Sequence, residues 1–104
     1  MRPIKCWQII IRMRRNDKTS KKRTFEVVLD FLKKNKISGA TVWTGVDGYG
    51  KRGDAKLRIE GLLMNNPLLI EIIDKRSKLQ PLLPDIKQIV DDEGLVTFSE
   101  VNAL

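Results

Sequence analysis

The sequence predicts an α+β fold in which four principal strands and two helices follow in the order strand, helix, strand, strand, helix, strand. Two observations predict this order. Apolar runs rich in β-branched residues recur along the chain, and two segments between them space apolar residues as an amphipathic helix does. The chain has 104 residues, which is the length of one domain, so we expect residues 1–104 to form a single domain.

The first half of the chain predicts one strand, one helix and a second strand. Residues 4–13 carry apolar side chains on both alternating sets of positions, which is typical of a strand covered on both faces. The helix after it is expected to be capped by Thr19 or Ser20 and to end at Ser38-Gly39. The second strand then runs from Gly39 through about Val46. The apolar stripe of the helix consists of Phe25, Val28, Leu29 and Leu32.

The second half predicts strand, helix and strand again. Residues 57–63 are expected to form a strand or ribbon, and residues 68–73 form the clearest strand of the sequence. Ser77 and Gln80 have the spacing of a capping box, and Pro84 predicts a kink or a restart of the following helix. Residues 94–98 are expected to be a short last strand, with residues 99–104 as a tail.

This order of elements predicts a ferredoxin-like βαββαβ sandwich. Two right-handed crossovers place both helices on one face of an antiparallel sheet. Because the strands are apolar on both faces, we expect the other face of the sheet to be buried between subunits.

The most distinctive segment is residues 39–53, where a β-branched strand runs into a glycine-rich, cationic loop. Glycine at Gly48, Gly50 and Gly53 permits positive φ and close approach of a ligand to the backbone. Successive N–H groups in such a loop can converge on a phosphate, and Lys51 and Arg52 add positive charge. An ordinary hairpin loop with solvated charges has the same composition. The spacing also matches the dinucleotide-binding fingerprint, but the residues that follow alternate like a strand, which disfavours that interpretation.

Composition narrows the classes of function. The chain has no histidine, which removes the usual general base and the commonest metal ligand, so we expect neither an enzyme nor a metal site. Cys6 is expected to be a buried thiol. The chain has no apolar run near eighteen residues and no signal-peptide pattern, so we expect a cytoplasmic protein without membrane insertion. Positive charge is concentrated in residues 1–58, which suggests an anionic partner.

Several motifs together are similar to a known family. They are Gly39-Ala-Thr-Val-Trp-x-Gly, Gly48-Tyr-Gly-Lys, Leu68-Leu-Ile-Glu-Ile-Ile-Asp74 and Gly94-Leu-Val-Thr-Phe98. This set resembles the PII-like proteins of domain-of-unknown-function family 190, which are distant relatives of the nitrogen regulatory PII proteins. The resemblance implies a homotrimer whose sheets line the interior and whose ligand clefts lie between neighbouring subunits.

The resemblance also implies a site and a function. Thr41 corresponds to the threonine that meets an adenine base, and Gly48, Tyr49, Gly50 and Lys51 correspond to the segment that approaches the phosphates. Arg52 would add charge there. The chain lacks the second glycine-rich loop and the basic C-terminal segment of PII, so AMP or ADP is expected rather than ATP. No cofactor is required, and the loop after Gly50 would relay occupancy to an unidentified partner protein.

Two other functions are compatible with the sequence. A ferredoxin-like sheet with a basic N-terminal half could bind nucleic acid. Its basic cluster, however, lacks the interleaved aromatic residues that stack bases. The members of this basic cluster are Arg12, Arg14, Arg15, Lys18, Lys21, Lys22 and Arg23. The chain could also be a structural adaptor that binds no small molecule.

Overall fold

The computed structural model describes residues 1–50, 53–54 and 66–104. A four-stranded antiparallel sheet consists of β1 (Ile4–Arg14), β2 (Thr41–Thr44), β3 (Pro67–Asp74) and β4 (Leu95–Ala103), in the spatial order β2-β3-β1-β4. Between β1 and β2 lies α1 (Thr24–Lys34), and between β3 and β4 lie α2 (Arg76–Leu79), a 3₁₀ turn (Gln80–Leu82) and α3 (Leu83–Val90). The predicted ferredoxin-like fold, with its helices on one face of an antiparallel sheet, is confirmed.

The register of β1 decides which side chains form the core. Ile9 lies opposite Ile72 of β3 and Phe98 of β4. These residues, and every second residue along each of the three strands, face the helices. The buried apolar residues are Trp7, Ile9, Ile11, Met13, Val28, Leu32, Leu68, Ile70, Ile72, Leu79, Ile86 and Val90.

The other alternating set forms what we call the open face of the sheet. Its members include Cys6, Gln8, Ile10, Arg12, Thr41, Trp43, Leu69, Glu71, Ile73, Leu95, Thr97 and Ser99. No element in the described part of the chain packs on this face, and its side chains are half-buried or exposed. Cys6 is a free, half-buried cysteine here, so the expectation of a buried thiol is wrong.

The predicted cap of α1 is wrong, because Thr19 and Ser20 precede the helix by several residues. Lys18–Thr19 pairs with Lys22–Arg23 in a short antiparallel ladder, and Arg23 occupies the N-cap position without a side-chain capping bond. The Thr19 hydroxyl instead donates to the Ile89 carbonyl at 3.1 Å and lies 2.8 Å from the Thr24 hydroxyl. Thr19 therefore joins the ladder to α1 and α3.

Other boundaries also differ from the predictions. The capping box is wrong, because Lys75 is the N-cap of α2 and no side chain caps it. The predicted restart at Pro84 is confirmed, since α3 begins at Leu83 after the 3₁₀ turn. The predicted tail is wrong, because β4 pairs with β1 as far as Ala103, opposite Ile4. Residues 57–63 lie outside the described residues.

Gly94 allows the start of β4 to approach β1 closely. Its backbone is extended, with φ −129°, so any residue could adopt the conformation. A Cβ at this position, however, would lie 2.5 Å from the Arg12 carbonyl oxygen and 2.6 Å from Val90 Cγ1. The lack of a side chain is therefore a packing requirement.

Asp74 joins the end of β3 to the segment after α1. Its Oδ1 accepts from the Lys75 N–H at 2.7 Å, and its Oδ2 accepts from the Ser38 hydroxyl at 3.5 Å and lies 3.6 Å from Lys78 Nζ. Burial raises the pKa of Asp74, but the hydrogen bonds from Lys75 and Ser38 and the charge of Lys78 outweigh it, so that the pKa lies below its usual value.

Gly94→Ala should destabilise the protein by about 1–3 kcal/mol, because the backbone of β1 or the side chain of Val90 must move to admit the new methyl group. Gly39→Ala is the matched control, since a Cβ there meets nothing within 4 Å. Urea unfolding at one fixed protein concentration measures both. Equal stability of the two variants would contradict the packing role of Gly94.

The lowered pKa of Asp74 predicts a stability difference that depends on pH. Because the pKa is lower in the folded state, the ionised carboxylate stabilises the fold above its ordinary pKa of 3.8, and this contribution disappears as pH falls through the folded pKa. Asp74→Asn should therefore be less stable than the parent at neutral pH and converge with it in acid. Urea unfolding from neutral pH to below pH 3 tests this, with the exposed Asp30→Asn as control. A difference that persists undiminished in acid would contradict the assignment.

Candidate functional site

One end of the sheet carries a cleft of about 500 Å³, a volume within the usual range of small-molecule sites. The last residues of β1, the first residues of β3 and β4 and the loop after β2 meet there. The lining residues are Arg12, Met13, Arg14, Gly48, Tyr49, Gly50, Pro67, Glu93, Gly94 and Leu95. We call this space the loop cleft. It brings together three of the predicted site residues, Gly48, Tyr49 and Gly50.

The glycine loop is a short ladder in the structure. The Gly48 N–H donates to Asp47 Oδ1 at 2.8 Å, and Tyr49–Gly50 pairs with Gly53–Asp54. This pairing lies within the glycine motif, and residues 55–65, where a dinucleotide fingerprint would continue as a helix, lie outside the described residues. Tyr49 is 89% exposed. Lys51 and Arg52 lie outside the described residues.

A side chain would be crowded at only some of the glycines in this region. Neither Gly48 nor Gly50 has a φ in the left-handed region, so the backbone does not use the positive φ that glycine permits there. A Cβ on Gly48 would lie 3.6 Å from Pro67 Cγ, an ordinary contact, and a Cβ on Gly50 would meet nothing within 4 Å. A Cβ on Gly45 would lie only 2.7 Å from Pro67 Cγ. Packing against the described residues therefore explains Gly45 but not Gly48 or Gly50.

Thr41 does not line the loop cleft. It is exposed on the open face, where it lies opposite Glu71 of β3. Glu71 is half-buried, and within the described residues its carboxylate has no hydrogen bond or ion pair. Thr41 and Glu71 are therefore neighbouring polar side chains on the open face.

Trp43, two residues after Thr41 on the same face, borders a second cleft. This cleft has a volume of about 270 Å³, and we call it the indole cleft. Its lining residues are Arg12, Met13, Trp43, Thr44, Gly45, Asp47, Pro67, Leu68 and Leu69. Trp43 is 56% exposed. It offers an aromatic face beside the segment that connects Thr41 to the glycine loop.

The predicted site missed Arg12 and Arg14 as lining residues. The sequence did contain a signal, because alternating arginines at the end of a strand point to one face and meet whatever lies beyond the strand end. Arg14 also has a contact within the chain, and the other arginines near this end contact their own segment. Arg15 lies 5.4 Å from the Phe25 ring centroid, and Arg23 donates to the Arg15 carbonyl and to Asn16 Oδ1. The basic cluster is thus divided between the cleft and the ladder.

The acidic segment after α3 has a structural explanation. Lys87 Nζ donates to the Asp91 carbonyl at 2.9 Å and lies 3.8 Å from Asp92 Oδ1. Among the residues that the structure describes, no group of acidic and cysteine side chains has the arrangement of a metal site. Within the same residues, no helix is long and apolar enough to cross a membrane.

The fold is similar to that of solved PII-like proteins. CPII from Thiomonas intermedia K12, a nitrogen regulatory PII-like protein bound to ADP, AMP and bicarbonate, superposes with a TM-score of 0.76 at 16% identity and covers 98% of this chain and 91% of its own. The apo form of CPII superposes with a TM-score of 0.65 at 14% identity, over 98% of this chain and 95% of its own. At these identities the similarity shows the fold.

Sequence comparison identifies the relatives. A UPF0166 protein of Methanocaldococcus jannaschii is 33% identical over 93% of this chain and 90% of its own length. A UPF0166 protein of Aquifex aeolicus is 31% identical over 77% of this chain and 75% of its own length. The model of family DUF190, described as Uncharacterized ACR, COG1993, matches residues 6–103. The chain therefore belongs to the DUF190 family.

Proposed function

We propose that this single-domain protein is a non-enzymatic cytoplasmic signalling protein that binds an adenine nucleotide, AMP or ADP rather than ATP. The main observation behind this proposal is the loop cleft, which has the volume of a small-molecule site and is lined by Gly48 and Gly50. The solved PII-like neighbour CPII, which binds ADP and AMP, supports the class of ligand.

The proposed assembly is a homotrimer with its binding clefts between subunits. The open face supports this, because it carries exposed apolar side chains such as Trp43, Ile73 and Leu95. Thr41 lies on that face and not in the loop cleft of its own chain. A neighbouring subunit would complete the pocket in which Thr41 meets the base and the glycine loop meets the phosphate, with Lys51 and Arg52 adding charge.

The proposed signal is a change in the loop after Gly50. A ligand shifts an equilibrium between two loop arrangements only by its difference in affinity for them. Contact between phosphate and the Gly48–Gly50 backbone would give the ligand a higher affinity for one loop arrangement. A partner protein would then bind one of the two arrangements in preference to the other.

The open face does not favour nucleic-acid binding. Ferredoxin-like sheets that bind RNA stack several bases on sheet aromatics. On the described part of the open face, Trp43 is the only aromatic side chain, because Trp7 and Phe98 lie on the helix side and stack on each other at 4.8 Å. The remaining alternative is a structural adaptor that binds no small molecule. For an adaptor, neutralising Lys51 and Arg52 would leave small-molecule affinity unchanged.

Calorimetric titration with AMP, ADP, ATP and cyclic AMP should show saturable binding of one ligand per subunit, with AMP or ADP tighter than ATP. Affinity should fall at the higher of two salt concentrations, because screening weakens contacts with phosphate. The absence of binding by all four compounds would contradict the proposed function.

Gly48→Val combined with Gly50→Val should weaken nucleotide binding by about ten-fold or more, the loss of roughly one charge-assisted hydrogen bond, because two branched side chains would keep phosphate from the loop backbone. The fold should persist, since neither site is crowded. Light scattering would show whether the trimer is intact, and Gly39→Val provides a control outside the loop. Unchanged nucleotide affinity would place the site elsewhere.

A further inference from the structure

Arg12 is an exposed cation that forms no ion pair with the residues that the structure describes. It lies on the open face between Leu69 of β3 and Leu95 of β4. Within the described residues its side chain has no hydrogen bond, ion pair or ring contact. The fold therefore holds a guanidinium group between two apolar side chains, and no described residue accepts from any of its five donors.

Arg12 also joins the two clefts. It lines both the loop cleft and the indole cleft, together with Met13 and Pro67. Trp43 lies opposite Leu69, and Leu69 lies opposite Arg12, so the three side chains form one row across the sheet. Two strand spacings, about 9–10 Å, separate the first member of the row from the last.

The two clefts differ in charge and in chemistry. The loop cleft has two arginines, Arg12 and Arg14, against one carboxylate, Glu93. The indole cleft has Arg12 against Asp47, with the Trp43 ring as its large apolar surface. The lining of the loop cleft is suited to an anionic group, and the lining of the indole cleft is suited to an aromatic ring.

We propose that the nucleotide lies across both clefts, with its base on the Trp43 indole and its phosphate on the guanidinium groups of Arg12 and Arg14. The proposal rests on the proposed function and adds two charged residues of β1 to the loop residues Lys51 and Arg52 already proposed for that site. Guanidinium groups bind phosphate oxygens in bidentate geometry, and indoles stack on nucleobases. Thr41, one row along the open face from Trp43, then lies at the base end of the ligand.

The proposed position of the nucleotide predicts different effects for variants of Arg12 and of Trp43. Arg12→Gln should weaken binding of AMP and ADP about ten-fold to a hundred-fold, the effect of losing charge-assisted hydrogen bonds, and leave binding of adenosine unchanged. Trp43→Ala should weaken adenosine and ADP by the same factor, because both carry the base. Arg2→Gln removes an equal charge from an exposed position outside both clefts and should change none of them.

Competition titration of the full-length protein with adenosine, AMP and ADP measures these ratios, and circular dichroism with light scattering controls for fold and assembly. ADP should also quench the fluorescence of Trp43, and the quenching should be absent in Trp43→Phe, which retains the buried Trp7. If the parent protein binds ADP but Arg12→Gln binds it as tightly as Arg2→Gln does, the assignment of Arg12 is overturned while the proposed function stands. An equal loss of adenosine and ADP in Arg12→Gln would also overturn it. If the parent protein binds no adenine compound, the proposed function itself fails.

Discussion

The rest of the structure depends on the pairing of β1 with β3 on one side and with β4 on the other. This central strand is antiparallel to both neighbours, and its register commits one alternating set of side chains to the helices. A slip by one residue would turn Ile9 and Ile11 out of the core and Arg12 into it. The same register therefore determines both the hydrophobic core and the position of Arg12 at the clefts.

Close contacts at the ends of these strands shape the candidate site. The lack of a side chain at Gly94 lets β4 start close to the Arg12 carbonyl. The lack of a side chain at Gly45 lets the loop after β2 pack on Pro67, and the Gly45 N–H donates to the Pro67 carbonyl at 2.7 Å. These two glycines are explained by packing inside the chain. Packing against the described residues does not explain Gly48 and Gly50, which border the loop cleft. The contrast supports an external reason, such as a phosphate, for the glycines in the loop.

The positive charge of the N-terminal half has more than one role. Arg15 and Arg23 hold the ladder before α1 through a ring contact and hydrogen bonds to backbone and side-chain oxygens. The same stretch of sequence supplies Arg12 and Arg14 to the loop cleft. A cluster that reads as one basic patch in sequence is therefore two groups with different surroundings. This division is why net charge alone suggested an anionic partner without locating it.

The sequence by itself determined the order of elements, the sheet that they build and the family. Apolar periodicity is local, so the stripe of α1 and the strand at residues 68–73 could be recognised without knowing their neighbours. Tertiary structure decided the length of β4, because residues 99–103 are strand only through pairing with β1. It also decided the role of Thr19, which bonds to Ile89, seventy residues away. For the site, the glycine loop was visible in sequence, whereas Arg12 and Trp43 became neighbours only across β3, since strands distant in sequence meet through pairing that no local pattern encodes.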